Sequence, residues 1–241
     1  MQVWASMKEG ITYIYRTKEI LGALCLDMFA VLFGGAVAMI PVFASDILKV
    51  GADGFGLLNA ASDIGSMMII VTLSFIPLRK NQGKILIGVV AGFGLCIIGF
   101  GLSKLYWLSF LFLMLSGIFD GISVVIRGTI VQLKTPDHIR GRVMSANSIF
   151  IMSSNEMGQF ESGVAAKLLG VVRSVVFGGT MTVLIALFVN GVVLLNLIHH
   201  FIFFRNHREY FGIKILLVMA NLPIAALFFY ITINSINLFT F

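Results

Sequence analysis

The sequence predicts an all-α integral membrane protein, a bundle of six spanning helices, and three observations predict it. Hydrophobic residues make up 59% of the chain and charged residues 12%, against about 25% charged in a soluble domain. Mean hydropathy is +1.00. Apolar runs of about 20 residues, the length of one bilayer crossing, recur along the 241 residues.

The same figures narrow the function classes. The net charge is +6, yet the basic residues fall at the ends of apolar runs, which argues for a bilayer partner and against nucleic acid. No cleavable leader is visible, because 1–18 is amphipathic and the first apolar run is already long enough to span. Cys25 and Cys96 lie inside apolar runs without metal or redox spacing, and read as small buried hydrophobes.

Taken in order, 1–19 mixes charge with Trp4, Ile11, Tyr13, Ile14 and Tyr15 and reads as a cytoplasmic connector or interfacial helix. The bundle occupies 20–198. Its first span, 20–43, carries Asp27 and the Gly34-Gly35 pair, and its second, 54–78, carries Asp63. The third, 85–102, has glycines at 88, 92, 94, 99 and 101, residues that let helices approach closely. The fourth spans 106–133, the fifth 143–169 and the sixth 175–198. The remainder, 199–241, reads as a polar cytoplasmic segment followed by an apolar run, 213–239, suited to an extra C-terminal transmembrane helix.

Orientation follows from the bias of Lys and Arg towards the cytoplasm. With the N-terminus inside, that side holds Lys8, Arg16, Lys18, Arg79, Lys80, Lys84, Lys134, Arg140, Arg142, Arg205 and Arg208. The other side holds only Lys49, Lys104, Lys167 and Arg173. The 135–142 loop is therefore expected in the cytoplasm.

Ionisable groups inside spans are the strongest functional signal, since each costs roughly 2.5–3.5 kcal/mol or more at mid-bilayer. Asp120 and Arg127 are two helical turns apart on one face, about 10 Å along the axis, so each needs a partner on another helix. In the fifth span Asn147, Ser154 and Glu161 form one stripe and Asn155, Gln159 and Ser162 a second, with Glu156 near mid-membrane. Such a helix is expected to be central, lining a cavity or packed by polar neighbours. Asp27 and Asp63 complete the set of proton or substrate contacts, although the nearby connector could hold Asp27 structurally. Asp120, Glu156 and Glu161 are the principal candidates, with Arg127 as counter-charge.

The loop between the fourth and fifth spans has chemistry of its own. Pro136 stops one helix, Asp137 is placed to cap the next and Gly141 permits a tight turn. Arg140 and Arg142 are fixed cations able to latch carboxylates or helix ends. These four residues, Asp137, Arg140, Gly141 and Arg142, are the candidate cytoplasmic gate.

Leu133-Lys134-Thr135-Pro136-Asp137-His138-Ile139-Arg140-Gly141-Arg142-Val143 resembles the loop between helices 10 and 11 of major facilitator superfamily transporters. The similarity is greatest to the group that includes the enterobactin exporter and related multidrug efflux proteins. Phe119-Asp120-Gly121-Ile122-Ser123 with Arg127, Ser153-Ser154-Asn155-Glu156, Phe160-Glu161-Ser162-Gly163, and Leu26-Asp27 with Phe33-Gly34-Gly35-Ala36 resemble the neighbouring helices. The resemblance covers about 8–195 and matches only the C-terminal half of that fold, a three-plus-three inverted repeat. It implies an exporter-type, proton-coupled secondary transporter of a small drug- or siderophore-like molecule. It also implies a multi-pass protein of the bacterial inner membrane, paired with a complementary N-terminal half or a second copy.

His199, His200, His207 and Glu209 lack clean ligand spacing, so no metal is expected, and nothing in the chain calls for a cofactor. No HExxH or Gly-x-Ser-x-Gly motif supports an enzyme. The alternatives to a transporter are a non-transporting membrane assembly subunit and an inactive fragment.

Overall fold

The computed structural model describes residues 2–76, 78 and 81–203, and every described element is helical. Arg79, Lys80, Arg205, His207, Arg208, Glu209 and the apolar run at 213–239 lie outside the described residues. A first helix, α1 (Gln2–Arg16), precedes α2 (Lys18–Phe33), and the chain breaks from regular helix at Gly34-Gly35. It resumes through a 3₁₀ turn (Ala36–Met39), the short α3 (Ile40–Val42) and a π-helical turn (Phe43–Ile47). The long helices α4 (Ala52–Phe75), α5 (Gln82–Leu102), α6 (Tyr106–Lys134), α7 (Arg140–Leu169) and α8 (Val171–Phe203) complete it.

Among the described residues, five segments are long and apolar enough to cross a membrane: Lys18–Ile47, Ala52–Phe75, Gln82–Leu102, Tyr106–Lys134 and Val171–Asn196. The protein is thus an all-α, multi-pass membrane protein. The helix expected at 143–169 is not one of the five. At 30 residues α7 is about 45 Å long, more than a bilayer requires, but its polar residues leave it short of the apolar content of a lipid-facing span. Helix α8 also differs from expectation, running without a break past His199 and His200 to Phe203.

Three of the seams in the bundle are each closed by a pair of glycines. Between α4 and α6, a Cβ on Gly65 would strike the Met114 carbonyl, and one on Gly117 the Ser62 carbonyl. Between α2 and α7, a Cβ on Gly158 would come 2.7 Å from the Val31 oxygen, and one on Gly35 2.7 Å from the Gly158 oxygen. Between α5 and α8, Gly94 and Gly179 face one another, with corresponding distances of 2.9 and 2.8 Å to the opposite carbonyl. Small residues at these points replace side-chain interdigitation with direct backbone packing, the main source of helix association where lipid removes the hydrophobic drive.

The seams exchange in a regular way. If α2, α4 and α5 are swapped for α6, α7 and α8, the α2–α7 seam becomes the α4–α6 seam, and the α5–α8 seam maps onto itself. Of the glycines in α5, Gly94 and Gly101 serve the α8 contact, whereas Gly92 and Gly99 receive the rings of Phe119 and Phe112 from α6. Gly88 meets nothing within 4 Å.

The connector is more firmly attached than an interfacial helix would be. Ile14 of α1 is fully buried, in one cluster with Ile20, Leu24, Val131, Ile139, Val143 and Ala146. Gly10 lies against the Arg142 backbone, where a Cβ would approach its oxygen to 2.5 Å. The apolar stripe of α1 therefore rests on the ends of α2, α6 and α7, leaving Trp4 and Tyr15 exposed.

Candidate functional site: a buried charge cluster

The most enclosed ionisable groups lie on α2 and α6. Arg127 Nη1 is 2.6 Å from Asp27 Oδ2, and both side chains are under 10% exposed. Ser123, one helical turn before Arg127, bridges the pair: its hydroxyl donates to Asp27 Oδ1 at 3.3 Å and accepts from Arg127 Nε at 3.3 Å. Asp27 is therefore held by α6 and not by the connector. A charged pair removed from solvent persists only with such geometry, because desolvating each ion costs several kcal/mol.

Asp120 stands close by. It shares with Asp27 and Ser123 a cavity of about 10 Å³, the space that one water molecule needs. The cluster thus contains two carboxylates and one guanidinium, and a single cation cannot neutralise both. The cavity is far too small for a drug-sized cargo. What this arrangement can do chemically is bind and release a proton, or exchange Arg127 between two acidic partners.

The other candidates are distributed differently. Consecutive helices α6 and α7 barely touch, so Asp120 and Glu156 do not face one another, although the sequence suggested neighbouring helices. Asn155, Glu156 and Gln159 are exposed, while Ser154 and Ser162 are buried and Asn147 and Glu161 half-buried. The Asn155–Gln159–Ser162 stripe is consequently split between two environments: Ser162 packs beside Gly35, whereas the other two point away from the bundle. The Asn147 Oδ1 atom is buried without a hydrogen-bond partner. Asp63 on α4 is exposed.

The loop departs from expectation in two respects. Asp137 caps no helix; neither the 3₁₀ turn Asp137–Ile139 nor α7 has a side-chain cap. The Asp137 carboxylate instead pairs with Arg140, one turn later, a local contact that satisfies it before it can cap. Gly141 makes no turn, because it is already inside α7. The reversal is completed by Thr135, Pro136 and the 3₁₀ turn, and a Cβ at Gly141 would meet open space.

Arg142 finds its partner on the connector, in an ion pair with Glu9. Two further contacts bind the same end of the bundle: the Tyr13 hydroxyl donates to the Lys134 carbonyl, and Lys134 Nζ lies 3.1 Å from Glu19 Oε1. The sequence assigned no contact to Glu9, Tyr13, Glu19 or Ser123, whose partners are mostly more than 90 positions away. Arg142→Ala is expected to loosen α1 without unfolding the bundle, raising protease cleavage near Arg16 several-fold. The reciprocal exchange Glu9→Arg with Arg142→Glu is expected to restore protection. Equal cleavage in parent, single and double variants would show the contact to be inert, as many exposed pairs are.

Fold and site together define a multi-pass helical membrane protein that sequesters a charge cluster at its centre. A family model described as transmembrane secretion effector matches residues 2–201. The chain belongs to that family and is a membrane transporter of the major facilitator superfamily. No curated protein and no solved structure matches it.

Proposed function

We propose that the chain is the C-terminal six-helix half of an exporter-type secondary transporter that moves a small drug- or siderophore-like molecule outward in exchange for protons. The observation that carries this reading is the Asp27–Arg127–Ser123 cluster with Asp120 beside it. With Arg127 on Asp27, Asp120 is the carboxylate left to take a proton. Protonation of Asp27 would free Arg127 to turn towards Asp120, and rocking of the helical bundles would present the cluster to alternate sides.

The cargo would lie elsewhere, against exposed residues of α4 and α7. On α4, Asp63 is exposed with Met67 and Met68; on α7, Asn155, Glu156 and Gln159 are exposed with Met152 and Met157. Carboxylates and amides facing hydrocarbon are costly, so protein or a water-filled cavity is expected to cover them. Flexible thioethers suit a surface that accepts cargo of varied shape. Six further helices, from a complementary half or a second copy, would supply the opposite wall.

The test is uphill transport in proteoliposomes containing the chain and its complementary half. Asp27→Asn and Asp120→Asn are each expected to abolish proton-driven accumulation while sparing downhill exchange. Glu156→Gln is expected to alter cargo affinity instead. Accumulation at the parental rate in both aspartate variants would sink the proposal and leave a structural ion pair in an assembly subunit.

The same reading places the N-terminus and the 135–142 loop in the cytoplasm of a bacterial inner membrane. Cysteines introduced at His138 and Lys167, both exposed, in a chain with Cys25 and Cys96 replaced by alanine, are expected to react unequally with an impermeant thiol reagent on intact cells. Only the Lys167 position should label. Labelling at His138 alone would invert the topology.

A further inference from the structure

At the end of the bundle where α2 and α5 begin and α6 finishes, a groove of about 430 Å³ opens between helices. This is within the range of small-molecule sites, roughly 300–1,000 Å³. Its walls are apolar and come from four helices, with Leu26 on α2, Leu86 on α5, Ile130 on α6 and Val189 on α8. Its floor is open at Gly22 and Gly83, where an added Cβ would meet nothing within 4 Å.

The mouth is polar, with Lys18, Glu19, Gln82 and Lys134. Glu19 is engaged by Lys134 at 3.1 Å, so that pair is neutral. Lys18, which has no ion-pair partner among the described residues, is left as the net charge of the mouth. The first turn of α5 reinforces it: Asn81, before α5, does not cap that helix with its side chain, and such an end attracts anions.

We propose that this groove holds an acyl chain of one anionic phospholipid, with the headgroup phosphate on Lys18 and the first turn of α5. An apolar slot between helices with a cation at the depth of the headgroups is the arrangement that selects an acidic lipid over a zwitterionic one. The site shares no lining residue with the buried cluster and includes none from α4 or α7, so it stands or falls apart from the transport mechanism.

Native mass spectrometry of the purified full chain, offered equal amounts of phosphatidylglycerol and phosphatidylcholine of matched chain length, reads this directly. One lysine near the surface is worth about a fivefold preference, and the acidic lipid is expected to be retained by that factor. Lys18→Gln is expected to bring retention of the two lipids level, and Gly22→Phe to lower both by closing the floor. Should Gly22→Phe not be recovered folded, Gly83→Leu fills the floor from α5. Equal retention of the two lipids by the parent, a preference that survives Lys18→Gln, or undiminished retention in the recovered floor variant would each overturn the assignment.

Discussion

Replacing Arg127 by alanine is expected to be the most damaging single change at the centre of the protein. It strands the Asp27 carboxylate, 8% exposed and, among the described residues, otherwise bonded only to the Ser123 hydroxyl. Breaking a buried pair from one side costs about 3–5 kcal/mol, because the remaining charge is uncompensated. Removing both charges is much less harmful, since the desolvation cost of the pair disappears with them. Asp27→Asn combined with Arg127→Leu should therefore recover most of the thermal stability that Arg127→Ala loses, yet should remain unable to drive uphill transport. Melting of the detergent-solubilised protein, followed by size-exclusion chromatography, separates these outcomes. If the double variant is no more stable than Arg127→Ala, loss of packing by the arginine stem is the dominant effect. If Arg127→Ala melts like the parent, the pair contributes nothing to the fold.

The second large effect is expected at the α4–α6 seam. A leucine at Gly117 would place its Cβ inside the space of the Ser62 backbone. Backbone on a packed helix cannot move aside as a flexible side chain can, so the helices must separate. Overpacking costs typically 1–3 kcal/mol where side chains give way; with backbone as the obstacle, a loss of about 3 kcal/mol or more is expected. Gly121 lies one turn further along the same face, where a Cβ would approach Ile69 Cγ2 to 2.5 Å, so separation at Gly117 opens that contact too. Gly128 on the same helix meets nothing within 4 Å and supplies the control: Gly128→Ala should melt with the parent. Recovery of folded Gly117→Leu at parental yield and melting temperature would contradict the seam.

What could be read from the sequence was whatever depends on a residue's own neighbours. The spans around 85–102 and 106–133 announce themselves by uninterrupted apolar content, and α5 and α6 begin and end within a few residues of those limits. The polarity of α7 was equally plain, but not which side of it faces protein. Asn155 and Ser162 fall on one stripe by periodicity, yet one is exposed and the other buried, because the division is made by α2 and its break at Gly34-Gly35. Asp27 and Arg127 were each recognisable as costly, and an intramembrane charge requires a partner. Their attachment to one another was not recognisable, since nothing local records that α2 and α6 meet at that depth. The same holds for α1, whose amphipathic pattern serves a membrane surface and a protein surface alike. Asp137 illustrates the opposite error: its position before a helix suggested a cap, but an arginine one turn later is the stronger competitor for its carboxylate.

The α5–α8 seam also sets an order of events during biosynthesis. Gly94 is inserted with α5, but its counterpart Gly179 belongs to α8, two long helices later than α6. Ribosomes add about 5–20 residues per second, so α5 waits on the order of ten seconds with its glycine-lined side against lipid. Throughout that interval the nascent bundle presents a vacant groove of small residues, to which any other small-residue helix in the same membrane can adhere. Closure by α8 is thus a race between the rest of the chain and its surroundings, and slowing translation beyond Leu169 lengthens the time during which the race can be lost.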